Sequence, residues 1–420
     1  MKKSYHNIIL FLVCLFSLFT SCSVDVKTKQ PKPQEIIETN DNALTLEAIE
    51  SGVITLTNPW STLKYKINNG SKQPYTDPIN VSSEDKVYFY ADGSENTENK
   101  FFTILCSGDC YIYGNIMSLC NSTDFENKTS LSKTYYFSRL FYNNTHIKNH
   151  DTKELLLPAT ILRDHCYEAM FYGCTGLTST FDLSATSLRS YCYAYMFSSC
   201  TCLKNIKTIK FTNISPYSCF NMFSNCTSLE STPSFSIIYT NNYSYKQMFY
   251  NCTNLKTILI TFSNPQIKNY CFEEMFCNCT SIETTPAFTT SPVAEGCYKG
   301  MFKNCTGLLS SPDIKIQQLK SFCFEETFCN CTSLQKSPKI ITQILSEGCF
   351  KNMFSGCTNL NEISCSAEKN INATDCFSGW VNNVASKGII NLSSYLFYEY
   401  IFNGNSKGIV PSGWQVKETS

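Results

Sequence analysis

The sequence is short of the groups on which most enzymes rely, and it has no surplus of charge. Its 420 residues carry 34 basic and 34 acidic side chains, so the formal net charge is zero. With neither a basic field nor an acidic tail to attract a polyanion, nucleic acid is not an expected partner. Histidine occurs four times, at His6, His146, His150 and His165, with no repeated Ser or Asp to build a nucleophile and base around it. There is no phosphate-binding loop, dinucleotide fingerprint or His-Glu-x-x-His run. No apolar run reaches membrane-spanning length. These gaps predict a protein with no catalytic residues, no cofactor and no metal. What is present is 43% hydrophobic and 14% aromatic, too rich in both for a disordered chain.

The first residues read as an export signal. Lys2 and Lys3 precede a largely apolar run from Ile8 to Phe19, and Phe19-Thr20-Ser21-Cys22 makes a small-residue exit. Twelve residues span only ~18 Å as a helix, too short for a ~30 Å hydrocarbon core. The ending is similar to a bacterial lipobox, with Phe19 in place of the usual Leu, so Cys22 is the expected lipidation site. Residues 1–21 are then a signal peptide, and 22–42, rich in Lys, Gln, Pro, Glu and Asn, a disordered tether.

From Cys166 to Leu360 one pattern is written eight times: Cys-aromatic-x-x-Met-Phe-x-x-Cys-Thr-x-Leu. Met stands at 170, 196, 222, 248, 275, 301 and 353, with Thr327 in the remaining place, so the period is 26 with a single 27. A repeat of this length signifies a solenoid, whose coils cannot bury their apolar faces alone and must stack. Cys166, Met170 and Cys174 stand at i, i+4 and i+8 beside Tyr167 and Phe171, a spacing that predicts a two-turn helix. Before the second Cys come Gly173, Ser199, Asn225, Asn251, Asn278, Asn304, Asn330 and Gly356, suited to a left-handed residue that ends the helix. A strand is expected after each Cys-Thr-x-Leu, with its register open after Leu203 and Leu255. Ahead of the Met, Lys246, Glu273-Glu274, Lys299, Glu325-Glu326 and Lys351 alternate in sign from coil to coil, so adjacent rows attract.

The flanks differ. Period-two alternation at Val53, Thr55, Thr57, at Leu63, Tyr65, Ile67 and at Val87, Phe89, Ala91, with a turn at Asn68-Asn69-Gly70, predicts a small β module over 43–103. Residues 104–165 read as N-terminal capping coils, with Asn144 where later coils carry Cys. The leucine-rich-type repeats fill 166–362, and the aromatic stretch 363–420, ending Pro411-Ser412-Gly413-Trp414, reads as a C-terminal cap.

These coils resemble the BspA-like leucine-rich repeat proteins of bacterial cell surfaces, in the subtype reading Cys-Tyr-x-x-Met-Phe-x-x-Cys-Thr-Ser-Leu. The lead-in Tyr111 to Leu119 and the ending at Trp414 are similar to that subtype's flanks, so the likeness covers about residues 44 to 418. Departures are Thr327 for Met, Ser244 for the first Cys, and Cys219 displaced by one position. The resemblance implies an α/β solenoid, a right-handed leucine-rich-repeat-like stack with a parallel sheet on one face and short helices on the other. It implies adhesion or host-protein binding and no conserved catalytic residues.

Twenty-five cysteines in an exported chain suggest a disulfide framework, but their spacing argues against it. Two Cys eight apart on a helix lie ~12 Å apart, beyond the ~7 Å limit between Cα atoms. Equivalent Cys on neighbouring coils should point in parallel, so buried reduced thiols acting as apolar fillers are expected. Only Cys106 and Cys110, across Ser107-Gly108-Asp109, are placed to bridge. Cys277 and Cys329 should face outward, two coils apart, too far for one zinc. His146 and His150 read as solvated loop residues. The expected ligand is an extracellular protein or glycan, bound by hydroxyls on the outer strand face at Thr180, Thr232, Thr285, Ser311 and Ser337. The alternatives are a structural envelope component without a ligand and, less favoured, an envelope hydrolase. The expected location is the bacterial cell surface, on the outer membrane through a lipid on Cys22. A fatty-acid probe should label the wild type and leave Cys22→Ser unlabelled; persistent labelling would remove the anchor.

Overall fold

The apolar positions of each coil face inward as expected, but the backbone that carries them is not helical. The computed structural model describes residues 41–263, 266–288, 292–405 and 408–419. The signal, most of the tether and Cys22 lie outside the described residues. Residues Asn42–Ser420 form one compact unit.

In that unit, His165 to Cys174 is a run of tight turns. Left-handed backbone recurs every fourth residue, at His165 (φ 59°), Ala169 (φ 51°) and Gly173 (φ 69°), then at Tyr191, Tyr195 and Ser199 one coil on. Amide groups divide between two uses. Tyr167 and Phe171 donate across to the carbonyls of Cys192 and Met196 in the next coil, at 3.1 and 2.9 Å. Met170 and Cys174 donate back three residues, to Tyr167 and Phe171, at 3.2 and 3.1 Å. A helix would send every N–H back four residues and leave none for a neighbour. The short helices are therefore corrected to stacked turns, and the α/β class to a β-solenoid with parallel sheets. Among the described residues, helix is confined to a 3-10 turn at Ile116–Leu119 and to α1 (Ser394–Asn403). The left-handed residue expected before the second Cys is present in all eight coils, from Gly173 to Gly356, ending a turn and not a helix.

Stacking follows from this backbone. The chain of bonds Phe171 to Met196, Phe197 to Met222, Phe223 to Met248 and Phe249 to Met275 repeats at 2.9 Å, and Phe302 donates to Thr327 at the same distance. Phe rings consequently stack from Phe141 to Phe354, with Phe141 and Phe171 centroids 5.5 Å apart and 3° from parallel. Each fully buried ring contributes about 1.5–3 kcal/mol by leaving water. Cysteines of the second column do more than fill space. Cys174, Cys200, Cys226 and Cys357 each donate S–H to a Phe carbonyl of the preceding coil, at 3.0, 3.1, 3.2 and 3.0 Å. Asn144, in the Cys slot of the entry coil, keeps the contact with its amide on the Ile104 carbonyl at 3.1 Å. Thr327, in the Met slot, likewise donates to the Tyr298 carbonyl at 2.8 Å. Coil three holds the common register: Tyr193 donates to Ser218 and Cys219 to Ser244, so Cys219 occupies the aromatic slot.

The β module begins with β1 (Leu44–Ala48), β2 (Gly52–Thr57), β3 (Lys64–Ile67) and β4 (Gln73–Pro74). It continues with β5 (Ile79–Val81), β6 (Lys86–Tyr90), β7 (Thr103–Cys106) and β8 (Cys110–Asn115). One sheet runs β4, β3, β6, β1, β8 and a second runs β5, β2, β7, all antiparallel. On its other side β8 pairs in parallel with β9 (Ile147–Asn149) and β10 (Leu155–Leu156), so one strand joins the module to the stack.

Through the middle coils the parallel pairing shrinks to single bridges, such as Ser179 to Asn205 and Ser231 to Thr257, plus β11 (Ser236–Ile237) with β12 (Thr261–Phe262). A longer parallel sheet forms only at the end, from β13 (Ile314–Lys315), β14 (Lys336–Ile341), β15 (Glu362–Ser366), β16 (Ile389–Ser393) and β17 (Gln415–Thr419). There Trp380 and Trp414 are buried and donate to the carbonyls of Ile409 and Ala385.

The alternating charges meet as the sequence suggests. Lys246 reaches Glu273 at 2.8 Å, Lys299 reaches Glu325 at 2.7 Å, and Lys303 reaches Glu326 at 2.8 Å. Partly exposed, each contributes at most ~1 kcal/mol and serves mainly to hold register.

Glycine is required where a ring leans onto the next turn. A Cβ at Gly296 would lie 2.1 Å from the Tyr270 ring, and one at Gly348 would lie 2.4 Å from Phe322. Both glycines are also left-handed. Gly296→Ala should cost about 1–3 kcal/mol in urea unfolding, with secondary structure otherwise unchanged.

Candidate binding surface

The expected hydroxyl row does not face solvent. Thr180 is 3% exposed, Thr232 2% and Thr285 7%, while Ser311 and Ser337 are only partly exposed. Their oxygens are spent on the stack. Thr180 Oγ1 accepts the Lys207 N–H at 2.9 Å, and Thr232 Oγ1 accepts the Leu259 N–H at 2.8 Å, each 27 residues on. Ser337 Oγ accepts the Ser364 N–H at 3.2 Å, and the Thr285 and Ser311 hydroxyls bond each other at 2.8 Å. The period-two reading assumed a strand straight after Leu. Here pairing is limited to single bridges at Ser179 and Ser231, and the hydroxyls of Thr180 and Thr232 just beyond them stand in for ladder bonds that the short strands do not make.

A different row occupies the surface. The first left-handed residue of each turn run is Tyr135, His165, Tyr191, Tyr217, Tyr243 and Tyr270 in six consecutive coils. All six are partly exposed. Their rings stack at centroid distances of 4.5, 4.8, 4.8, 4.7 and 5.2 Å, the last four pairs within 8° of parallel. Bulky residues with positive φ carry a backbone cost, and stacking offsets it here. At Gly296 the column stops, covered by Tyr270, and Phe322 resumes it.

Polar groups line this column. His165 Nδ1 lies 2.8 Å from Glu168, Lys246 sits 5.5 Å from the Tyr243 ring centre, and Tyr270 donates its hydroxyl to Glu295 at 2.7 Å. Burial holds the Tyr191 and Tyr217 phenols above the ordinary range.

Three other groupings were candidates. Glu50, Asp109 and His146 bring ligand atoms within 4.8 Å of one another. Lys148 already bonds the second Asp109 oxygen, and this contact, before the 3.1 Å approach of His146, holds the Asp109 carboxyl below its usual range. A fixed ammonium thus fills the role a bound cation would take. His150 does not join His146: its ring packs edgewise on Tyr111 and Tyr113, and its Nδ1 accepts the N–H of Thr152 at 3.0 Å.

Cys277 and Cys329, expected to face outward, are buried, and burial pushes the Cys277 thiol up to about 12. Cys106 and Cys110 are free thiols: Cys110 donates to the Gly108 carbonyl at 3.5 Å, and Cys106 accepts the Asn144 amide at 3.4 Å. The Cys110 thiol, helped by the Asn144 amide and opposed by burial, holds Cys106 below its ordinary range, while the Cys106 sulfur together with burial raises Cys110. Every described cysteine is a free thiol. A cleft of about 340 Å³ at the C-terminal end is lined by Val381, Asn383, Ala385, Asn405, Val410 and Pro411 among others, none of them ionisable.

No family model, curated protein or solved structure matches this chain. The surface must therefore be read from its own chemistry.

The aromatic column was missed although its signal is plain: an aromatic ring five residues before the Met slot in coil after coil. The inward-facing pattern does not pick it out, because these rings border the core without belonging to it. Thr232→Val should cost about 1–3 kcal/mol in chemical denaturation, since it orphans the Leu259 N–H. A neutral result would return that hydroxyl to the surface.

Proposed function

We propose that this chain is an exported, lipid-anchored surface protein of the BspA-like kind, whose solenoid binds an extracellular protein or glycan in adhesion or host interaction. The observation that carries the reading is the column of partly exposed rings running over six coils from Tyr135 to Tyr270. Tyrosine offers a large contact area, an apolar body and a polar tip at little conformational cost. Here that cost is lower still, because each ring is already fixed by its neighbours before any partner arrives. A row one ring wide and six long suits an extended partner better than a small molecule.

The export reading rests on the sequence before residue 23, which also supplies the anchor at Cys22. A repeat surface that is charge-balanced along its length fits recognition by shape and hydrogen bonding more than by a net field. A structural envelope component would have no need of a solvent-facing tyrosine row.

Residues 43–420 probed on a glycan and extracellular-matrix protein array should find a ligand. Replacing Tyr191, Tyr217 and Tyr243 together with Ser should weaken that binding by at least about tenfold. The matching Phe triple variant, which keeps the stack and removes the hydroxyls, separates loss of contact from loss of fold. Unchanged affinity in the Ser variant, with a native circular dichroism spectrum, would take the site off this column.

A further inference from the structure

The first cysteine column contains one step unlike the others. It runs through Cys166, Cys192, Cys271, Cys297, Cys323, Cys349 and Cys376, all of them buried. Side chains on equivalent positions of stacked coils point in parallel, which keeps sulfurs apart. Between the last two, however, the sulfurs meet: Cys349 Sγ lies 3.3 Å from Cys376 Sγ. Among the described residues it is the one thiol–thiol contact between neighbouring coils.

The surrounding contacts hold the pair in register. This step covers 27 residues, joining the last full repeat to the closing coil. Phe350 donates its N–H to the Cys376 carbonyl at 3.1 Å, which sets the two chains at ladder spacing. Parallel chains so joined lie ~4.8 Å apart, inside the range of Cα separations that a disulfide spans. Phe350 also packs its ring on Phe377 and Trp380, at 5.7 and 6.1 Å, so the closing coil is fixed in this register.

We propose that Cys349 and Cys376 are a disulfide-forming pair, and that their oxidation staples the closing coil to the repeat stack. The oxidant is a small or protein disulfide, RSSR. One cysteine thiolate attacks it and releases a first thiol; the second cysteine then attacks the mixed disulfide and releases another. Two cysteine thiols and RSSR thus become one cystine and two RSH, with two electrons and two protons passed to the oxidant. Since the folded pair is buried, exchange takes place before the closing coil docks or while it is open. The staple falls where the regular pattern gives way to the closing coil.

Proposed export would bring the chain to an oxidising compartment, but the chemistry can be tested without it, so the two readings fail separately. The full chain, purified reduced, is treated with oxidised glutathione in native buffer and again in low urea, then alkylated, digested and mapped by mass spectrometry. The expected result is one cross-linked peptide pair joining Cys349 to Cys376, two hydrogens lighter than the reduced peptides. Oxidation should also slow protease cleavage beyond residue 366 by about tenfold or more in wild type and not in Cys349→Ser. If Cys349→Ser does not fold, the wild-type peptide map still decides. Both cysteines alkylated under both conditions, or Cys349 joined to Cys323 instead, would overturn the proposal.

Discussion

The stack depends on the way backbone amides alternate between two jobs. In each turn run one N–H reaches across to the next coil and the following one closes a tight turn within its own coil, as Phe171 and Tyr172 do. This arrangement satisfies the buried polar groups of a chain that is neither helix nor sheet. It is available only if every fourth residue takes up left-handed backbone, so the repeat is held as much by conformation as by hydrophobicity. Phe and Cys columns, thiol-to-carbonyl contacts and paired charges are all arranged on this lattice. Each is modest alone and is multiplied by the number of coils.

The 26-residue period, the identity of the core residues, the left-handed position before the second Cys and the attraction between charged rows were all legible in the sequence. The secondary structure of the Met-Phe stretch was not. Apolar residues at i, i+4 and i+8 fit a 3.6-residue helix and a four-residue turn repeat equally well over only two turns. Evidence that separates them lies elsewhere in the same window, in Asn221, Gly300 and Asn352 at a second left-handed position, where a helix would disfavour Asn and Gly. Thr180 and Thr232 were misplaced for a related reason. Alternation predicts direction only along a continuous strand, and a hydroxyl just past a single bridge can replace a ladder bond that a longer strand would have supplied.

The two long faces of the solenoid consequently differ from the sequence expectation. The strand side, drawn as the binding face from its hydroxyls, spends them internally. The turn side, drawn as a helical back, carries the tyrosine column and the Lys-Glu pairs that frame it. The placement follows from the turns themselves. A side chain at the outer corner of each turn points away from the core and repeats at the coil spacing, so any residue type favoured there becomes a continuous line on the surface.

Strand β8 pairs antiparallel with β1 on one side and parallel with β9 and β10 on the other. It is a template as well as a junction. In a stack of identical layers nucleation is the slow event, because the first layer has nothing to dock against, whereas every later layer adds contacts only about one period away in sequence. The β module, closed by pairings of its own, presents β8 as a finished edge against which a first layer can dock. Docking on that edge would proceed from the amino-terminal side outward, which is also the order in which a nascent chain emerges.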